Sequence, residues 1–310
     1  MSIVPERTGV HVRAAGKINV YLGVGLPGRD GYHPLATVFQ AVSLFEDVYA
    51  EPATDFSVTI VGDEADSVPT DERNLALQAA MLLATDAEYG GGVHLEIHKT
   101  VPVAGGMGGG SADAAAALVA CDALWQTGFT STHLQGLAAQ LGADVPFALM
   151  GGTAIGTGRG DVLNPALAHG RLEWVLALSN TGMSTPAVYR ELDVYRDEQG
   201  VDDHERPASM AVPVGVLQAL RAGDPHALAA MMHNDLQVAA LRLRPDLEET
   251  IARGMAAGAL RAMISGSGPT VAFLCATPDS AERVKGQLEA SGIAALRAHG
   301  PVPGARVVSL

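Results

Sequence analysis

Three features of the chain have residue types and spacings that could handle a phosphate. The first is a glycine-saturated run, Pro102-Val-Ala-Gly-Gly-Met-Gly-Gly-Gly-Ser-Ala112, in which five of eleven positions are glycine. Glycine admits positive φ and lets the backbone approach a ligand with no Cβ in the way. The second is Lys17, one of three lysines in a chain whose other basic residues are arginine, set in the apolar stretch Ala14-Ala-Gly-Lys-Ile-Asn-Val-Tyr-Leu22. A lysine inside a strand is either a snorkelling edge residue or an ammonium aimed at a phosphate or carboxylate. Asn19, two residues on, shares its strand face and could hold a substrate hydroxyl. The third is Asp144, two residues before Pro146, which reads either as a turn residue or as a base that accepts a hydroxyl proton in phosphoryl transfer.

These groups need particular elements to position them. Val93, Leu95 and Ile97 alternate with polar residues, a half-buried strand that enters the glycine run. Ala114 to Trp125 reads as the helix behind it, with Ser111 as N-cap and a possible Mg²⁺ ligand. Free amide N–H groups and the positive end of a helix dipole then converge on an anion site. The run has no lysine before its serine, so it is not a P-loop, and its counter-charge must come from Mg²⁺ or from a distant side chain. The pattern Gly23-Val-Gly-Leu-Pro-Gly28 matches a dinucleotide fingerprint, but turn residues follow it instead of a helix.

Ile264-Ser-Gly-Ser-Gly-Pro-Thr270 is either a tight hairpin or a second wall against bound phosphate. Tyr32, His33 and Tyr189 stand beside turn residues, where a ring either packs on the surface or stacks on a ligand base. Thr185 lies in the same Ser184 to Tyr189 segment. His94 and His98 share a strand face but lie about 13 Å apart, too far for one zinc ion.

The 310 residues carry a net charge of −14, which disfavours general binding to nucleic acid or anionic membrane. The chain has no run of 18 apolar residues, and Met1 to Val10 includes Glu6 and Arg7 where a signal peptide would be apolar. Two isolated cysteines, Cys121 and Cys275, fit a reducing compartment, so a cytoplasmic protein is expected. Strand-like segments cover Val10 to Leu22, Thr37 to Ala50, Phe56 to Val61, Ala259 to Ser265 and Thr270 to Cys275. Helical patterns cover Leu75 to Thr85, Thr132 to Leu141, Val216 to Ala222, Pro225 to Met232, Pro245 to Ala257 and Asp279 to Ser291, and Asp193 to Pro213 reads as an exposed acidic loop. The expected class is α+β in two domains, residues 1–165 and 166–310.

In this order the pieces resemble the GHMP kinase superfamily: a lysine strand, the Pro-x-x-x-Gly-x-Gly-Gly-Gly-Ser loop and a late Gly-Ser-Gly-Pro turn. Asp30-Gly-Tyr-His33 together with Gly142-Ala-Asp-Val-Pro146 narrows the resemblance to members whose alcohol substrate carries cytidine diphosphate. The resemblance spans nearly the whole chain. It implies an N-terminal domain like ribosomal protein S5 domain 2 and a ferredoxin-like C-terminal domain, with ATP and substrate meeting in a cleft. It implies Lys17 and Asp144 as the catalytic pair. ATP would be wrapped by Pro102, Val103, Ala104, Gly105, Gly106, Met107, Gly108, Gly109, Gly110, Ser111 and Ala112, with Asn74 and Lys99 on the adenosine side. Tyr32, His33 and Tyr189 would hold the cytosine, with Asn19 and Thr185 also on the substrate and Mg²⁺ beside ATP. The reaction implied is phosphorylation of the 2-hydroxyl of a cytidylylated methylerythritol in isoprenoid precursor synthesis. A superfamily kinase for homoserine or mevalonate, or a nucleotide sensor without catalysis, are the rival readings. Two positions depart from the usual pattern, Met107 for Leu and Tyr189 for Phe, both conservative in shape. No oligomeric state follows from the sequence.

Overall fold

Residues 9–29, 31–103, 105–179, 181–200 and 210–309 are described by the structure, a computed structural model. Ala104, expected in the ATP loop, lies outside them, as do Asp30, Glu6, Arg7 and the 201–209 part of the expected acidic loop.

The first part of the chain builds a mixed sheet with helices on one face. Strand β1 (Val10–Val24) buries Val10, Val12 and Ala14 while His11 and Arg13 face outward, the alternation of a sheet covered on one side. It pairs antiparallel with β2 (Leu35–Ala53), with irregularities at Ala15/Gly16 and Asn19/Tyr21 on either side of Lys17. Then follow β3 (Ser57–Val61), α1 (Leu75–Asp86), β4 (Gly92–His98), α2 (Gly109–Trp125), α3 (Ser131–Leu141), α4 (Val145–Met150), β5 (Thr153–Thr157) and β6 (Val162–Pro165). Helix α2 is the hub. Its alanine run, Ala114 to Ala117, is fully buried between the sheet and α1, because a methyl side chain lets a helix approach closely and costs little conformational entropy. That close approach fixes where its N-terminus, and so the glycine loop, sits.

The second part contains β7 (Leu172–Ala177), α5 (Thr185–Glu198), α6 (Val214–Ala222), α7 (Pro225–Met231), β8 (His233–Asn234), α8 (Gln237–Leu243), α9 (Asp246–Ala256), β9 (Arg261–Ile264), β10 (Val271–Cys275), α10 (Pro278–Ala290), β11 (Ala295–Gly300) and β12 (Arg306–Ser309). The first sheet runs β12-β1-β2-β4-β3, with β5 and then β6 added beside β2 and β8 parallel to β1. The second runs β11-β7-β10-β9, its four strands in the chain order last, first, third, second. That antiparallel order, with α10 crossing between β10 and β11, is the ferredoxin-like arrangement. Two segments of the second half, β8 and β12, thus pair with β1 in the first sheet. One apolar cluster joins the sheets: Ile18, Val20, Val38 and Val42 pack with Leu172, Trp174 and Leu176. The Trp174 indole donates to the Gln40 side chain across the seam at 2.9 Å.

Several local expectations are corrected. Helix α2 starts at Gly109, five residues before Ala114, and Gly108 is its N-cap, so Ser111 sits within the first turn and does not cap it. Asp193 to Glu198 belong to α5 and are not loop. The reason is a one-sided apolar stripe, Val188 and Leu192, hidden in a polar segment that buries itself against α8.

Candidate active site

The glycine loop is fastened at both ends. Lys99 N–H donates to Val61 O at its entry, and Lys17 N–H donates to Met107 O at 2.9 Å, tying the loop to β1. Met107 is fully buried in the cluster that joins the two sheets, so it acts as a hydrophobic peg beneath the loop. At Gly106 (φ 75°) a Cβ would fall 2.7 Å from Ser265 O and 2.9 Å from Gly268 O, so only glycine lets the loop meet the 265–270 turn. That turn joins β9 to β10 as a hairpin, the first of its two expected readings, and it packs against the glycine loop. Of the five loop glycines only Gly110 has open space where a Cβ would stand; Gly109 looks inward, toward Glu46 and Lys99. The first amides of α2 have no carbonyl partner within the helix, and they stand beside a cleft of about 350 Å³ lined by Pro102, Val103, Gly105 to Gly110, Asn74 and Lys99. A phosphate chain fits such an end.

Lys17 and Asp144 come together from distant parts of the chain. The ammonium lies 3.5 Å from Asp144 Oδ2 and donates to Asn19 Oδ1 at 3.1 Å. Asn19 is held in turn by donating to the Thr37 hydroxyl at 2.8 Å. Asp144 occupies the residue before α4 but makes no capping bond, which leaves its carboxylate facing a second cavity of about 210 Å³. Gly106 and Gly108 line both this cavity and the loop cleft, so the two adjoin.

Asn74 and Lys99 line the cleft with their polar atoms already engaged. Asn74 caps α1, accepting from Ala76 and Leu77 N–H and donating to Pro69 O. Lys99 Nζ is 2.6 Å from both Glu46 Oε1 and Asp113 Oδ2, and all three side chains are buried. Burial and the nearby Asp113 charge push Glu46 up to about 7, against the pull of Lys99 and the Thr100 N–H. Burial likewise raises Asp113. Burial alone would lower Lys99, but Asp113 and Glu46 outweigh it and hold the ammonium above its ordinary value.

A third cavity, about 640 Å³, shares Leu35, Arg159, Thr185 and Tyr189 with the cavity of Lys17 and Asp144. His33 is 2.8 Å from Asp193 Oδ1 and its ring lies 5.1 Å from that of Tyr189. Burial, helped by the Asp144 charge, pushes the Tyr189 phenol up to about 12, so it stays a neutral donor. Tyr32 is 55 % exposed and lies under the Arg159 guanidinium, 3.6 Å from ring centroid to carbon. Each tyrosine has a ring or cation partner, His33 for Tyr189 and Arg159 for Tyr32. Thr185, at the start of α5, shares a 2.8 Å hydrogen bond with the Ser267 hydroxyl of the hairpin wall.

Comparison with known proteins agrees with this geometry. Residues 74–152 match the GHMP kinases N terminal domain and residues 216–294 the GHMP kinases C terminal domain. The chain is 56% identical over 301 residues, 97% of its length and 96% of the relative, to 4-diphosphocytidyl-2-C-methyl-D-erythritol kinase of Clavibacter michiganensis subsp. michiganensis. It is also 56% identical, over 302 residues, to the kinase so named from Leifsonia xyli subsp. xyli, covering 97% of this chain and 99% of that one. The chain belongs to the 4-diphosphocytidyl-2-C-methyl-D-erythritol kinase family. A crystal structure of 4-(cytidine 5'-diphospho)-2C-methyl-D-erythritol kinase superposes with a TM-score of 0.76 at 34% identity, covering 93% of this chain and 98% of that one. A homoserine kinase from Cytophaga hutchinsonii shares the fold at 19% identity and a TM-score of 0.74, covering 99% of this chain and 100% of that one. As a family member the chain is a small-molecule kinase with the two-domain α+β GHMP architecture.

Three participants in this site were not singled out from the sequence. Glu46 and Asp113 look like ordinary polar positions in a strand and a helix, and only the Lys99 contacts reveal them. Arg159 sits in the glycine-rich 151–160 cluster, where arginine after glycine reads as a solvated turn. Among the described residues no cluster of three or more His, Cys, Asp or Glu side chains suits a metal, and no helix is long and apolar enough to cross a membrane.

Proposed function

We propose that this protein transfers the γ-phosphoryl group of ATP to the 2-hydroxyl of 4-diphosphocytidyl-2-C-methyl-D-erythritol, a step toward isoprenoid precursors. The observation that carries the reading is the row of three adjoining cavities with the Lys17–Asp144 pair in the middle one. ATP lies along the glycine loop with its phosphates on the first amides of α2. The cytosine occupies the cavity of His33, Tyr189 and Tyr32, and the hydroxyl to be phosphorylated reaches Asp144. Asp144 takes the hydroxyl proton as the oxygen attacks the γ-phosphorus and the bond to ADP breaks. Lys17 holds Asp144 in place and steadies charge on the reacting oxygen, and Asn19 holds Lys17. Positioning and electrostatics are most of what phosphoryl transfer requires.

Mg²⁺ belongs to this reading as a companion of ATP. The protein donor set near the loop fits an ion carried mainly by phosphates, since Ser111 offers one hydroxyl in the first turn of α2 and, among the described residues, no acidic cage accompanies it. Bound there, the ion would neutralise phosphate charge. We place the protein in the cytoplasm, where Cys121 and Cys275, both buried and free, stay reduced.

The test is ADP release by the purified chain with cytidylylated methylerythritol, free methylerythritol, homoserine and mevalonate. Only the first is expected to serve. Stacking on a base is worth about 1–3 kcal/mol by alanine substitution, so Tyr189→Ala should raise KM for that substrate about tenfold to a hundredfold. Tyr189→Phe should cost little. Equal turnover of free methylerythritol or homoserine would remove the cytidine site from the account.

A further inference from the structure

Asn234, only 6% exposed, has hydrogen bonds at both ends of its side-chain amide. Nδ2 donates to Ile264 O and to Gly266 O, both at 2.8 Å, where β9 runs into the 265–270 turn. Oδ1 accepts from Leu236 N–H at 2.9 Å, which fixes which end of the amide faces the two carbonyls. The backbone that carries this side chain is tied to β1. Asn234 is in register with Leu22, Asp235 N–H donates to Leu22 O at 2.9 Å, and Val24 N–H donates to Asp235 Oδ2 at 2.8 Å. Strand β1 is the one that presents Lys17 and Asn19. A single amide therefore sets the turn against the strand of the catalytic lysine.

The turn it holds touches both halves of the proposed chemistry. Gly266 and Ser267 line the inner cavity together with Lys17, Asn19 and Asp144. A Cβ on Gly266 would fall 3.3 Å from Asn19 Oδ1 and 3.7 Å from Lys17 Nζ, so the turn closes over the ammonium. Its other side meets Gly106 of the glycine loop. Within the turn, Ser265 N–H donates to Thr270 O and Gly268 N–H to Ser265 O; these bonds set its shape and not its place. Gln237 Oε1 takes the Ile264 N–H at a longer 3.2 Å, and Thr185 meets the Ser267 hydroxyl. Asn234 grips the backbone at two carbonyls, and does so from β1. An apolar side chain could fill the same space but would leave those carbonyls unmet and the turn without a fixed register. We propose that Asn234 is a positioning residue for phosphoryl transfer, which sets the gap between the turn and β1 so that the glycine loop and Lys17 face the same reacting oxygen. The inference rests on the function proposed above and adds to it a residue that lines none of the three cavities used there.

The experiment uses the full chain as wild type, Asn234→Ala and Asn234→Asp, the last keeping the shape but setting an oxygen against two carbonyls. Single-turnover transfer, whose rate constant does not depend on the fraction of active protein, should slow by about tenfold to a hundredfold in both variants, the usual cost of a small misplacement. KM for ATP should rise, because Gly106 packs on the displaced turn. Cytidine should bind with unchanged affinity and stoichiometry in calorimetry, since no residue of β8 or of the turn lines the outer cavity. If neither variant folds, Asn234→Ser carries the same comparison, as it keeps an acceptor for the Leu236 N–H and one donor. A wild-type single-turnover rate in any folded variant would overturn the inference. So would cytidine affinity falling in step with the rate, or loss of cytidine binding in all three variants, because Asn234 would then be a general structural support. If wild type itself neither binds cytidine nor phosphorylates the cytidylylated alcohol, the function proposed above fails instead, which separates the two failures.

Discussion

Lys17 and Lys99 lie on opposite sides of the same glycine loop, and their environments are opposite too. Lys99 is clamped between two carboxylates at 2.6 Å, with side-chain exposures of 5% for Lys99, 0% for Glu46 and 5% for Asp113. Lys17 has one carboxylate at 3.5 Å, and that carboxylate, Asp144, is 34% exposed. An ammonium saturated by buried acids has no capacity left for a ligand, and its pairing holds β2, the end of β4 and α2 in one relation. An ammonium loosely paired beside a cavity can exchange its partner for a substrate oxygen. The lesson is that proximity to the phosphate site does not make a lysine a phosphate ligand; the unmet hydrogen-bonding capacity does.

The largest expected effect falls on stability. Removing the cation leaves two buried acids without their counter-charge, and losses of about 3–5 kcal/mol are usual for breaking such pairs. Lys99→Met should show a loss of that order in a denaturant melt, whereas Lys17→Met should unfold close to wild type while its turnover collapses. If the two variants lose equal stability, the contrast between clamp and catalyst is wrong.

Next in size is the chemical step. Asp144→Asn keeps the shape and removes the base, so single-turnover phosphoryl transfer should slow by about a hundredfold or more with nucleotide affinity retained. A near-normal single-turnover rate would reduce Asp144 to a turn residue and leave Lys17 without its assigned role.

The smallest effect is a slope. Glu46 sits at about 7 in the folded protein against an ordinary 4.5, so the folded state holds a proton that the unfolded chain releases. Its contribution is fully present below about pH 4.5 and is lost as pH rises through about 7. Asp113, also raised, acts in the same direction. Wild type should therefore lose Tm relative to Glu46→Gln between pH 5 and about 7.5, with the difference constant above that. Parallel Tm curves for the two proteins across this range would mean that Glu46 is ionised throughout and the clamp carries a net charge.

Short-range patterns were legible in the residues themselves. The alternation in β1 and β4, the glycine loop and the alanine-rich body of the helix behind it follow from side-chain size and backbone freedom over a few positions, though not where that helix starts. Segment α5 was missed because its apolar stripe is thin and its other faces are polar, so composition alone reads as loop. The sheet order was beyond local reading as well, since β12 returns to β1 across nearly the whole chain.

What the residues determined on their own is chemistry by type: a lysine-free glycine loop needs its counter-charge elsewhere, and Lys17, Asn19 and Asp144 are groups able to run a phosphoryl transfer. Tertiary structure alone decided which of the lysines has capacity left. The carboxylates that occupy Lys99, Glu46 and Asp113, come from a strand and a helix 53 and 14 residues away in sequence. A charge's availability depends on its burial and on every partner within a few ångströms, and those distances are set by packing between segments that the linear sequence keeps apart.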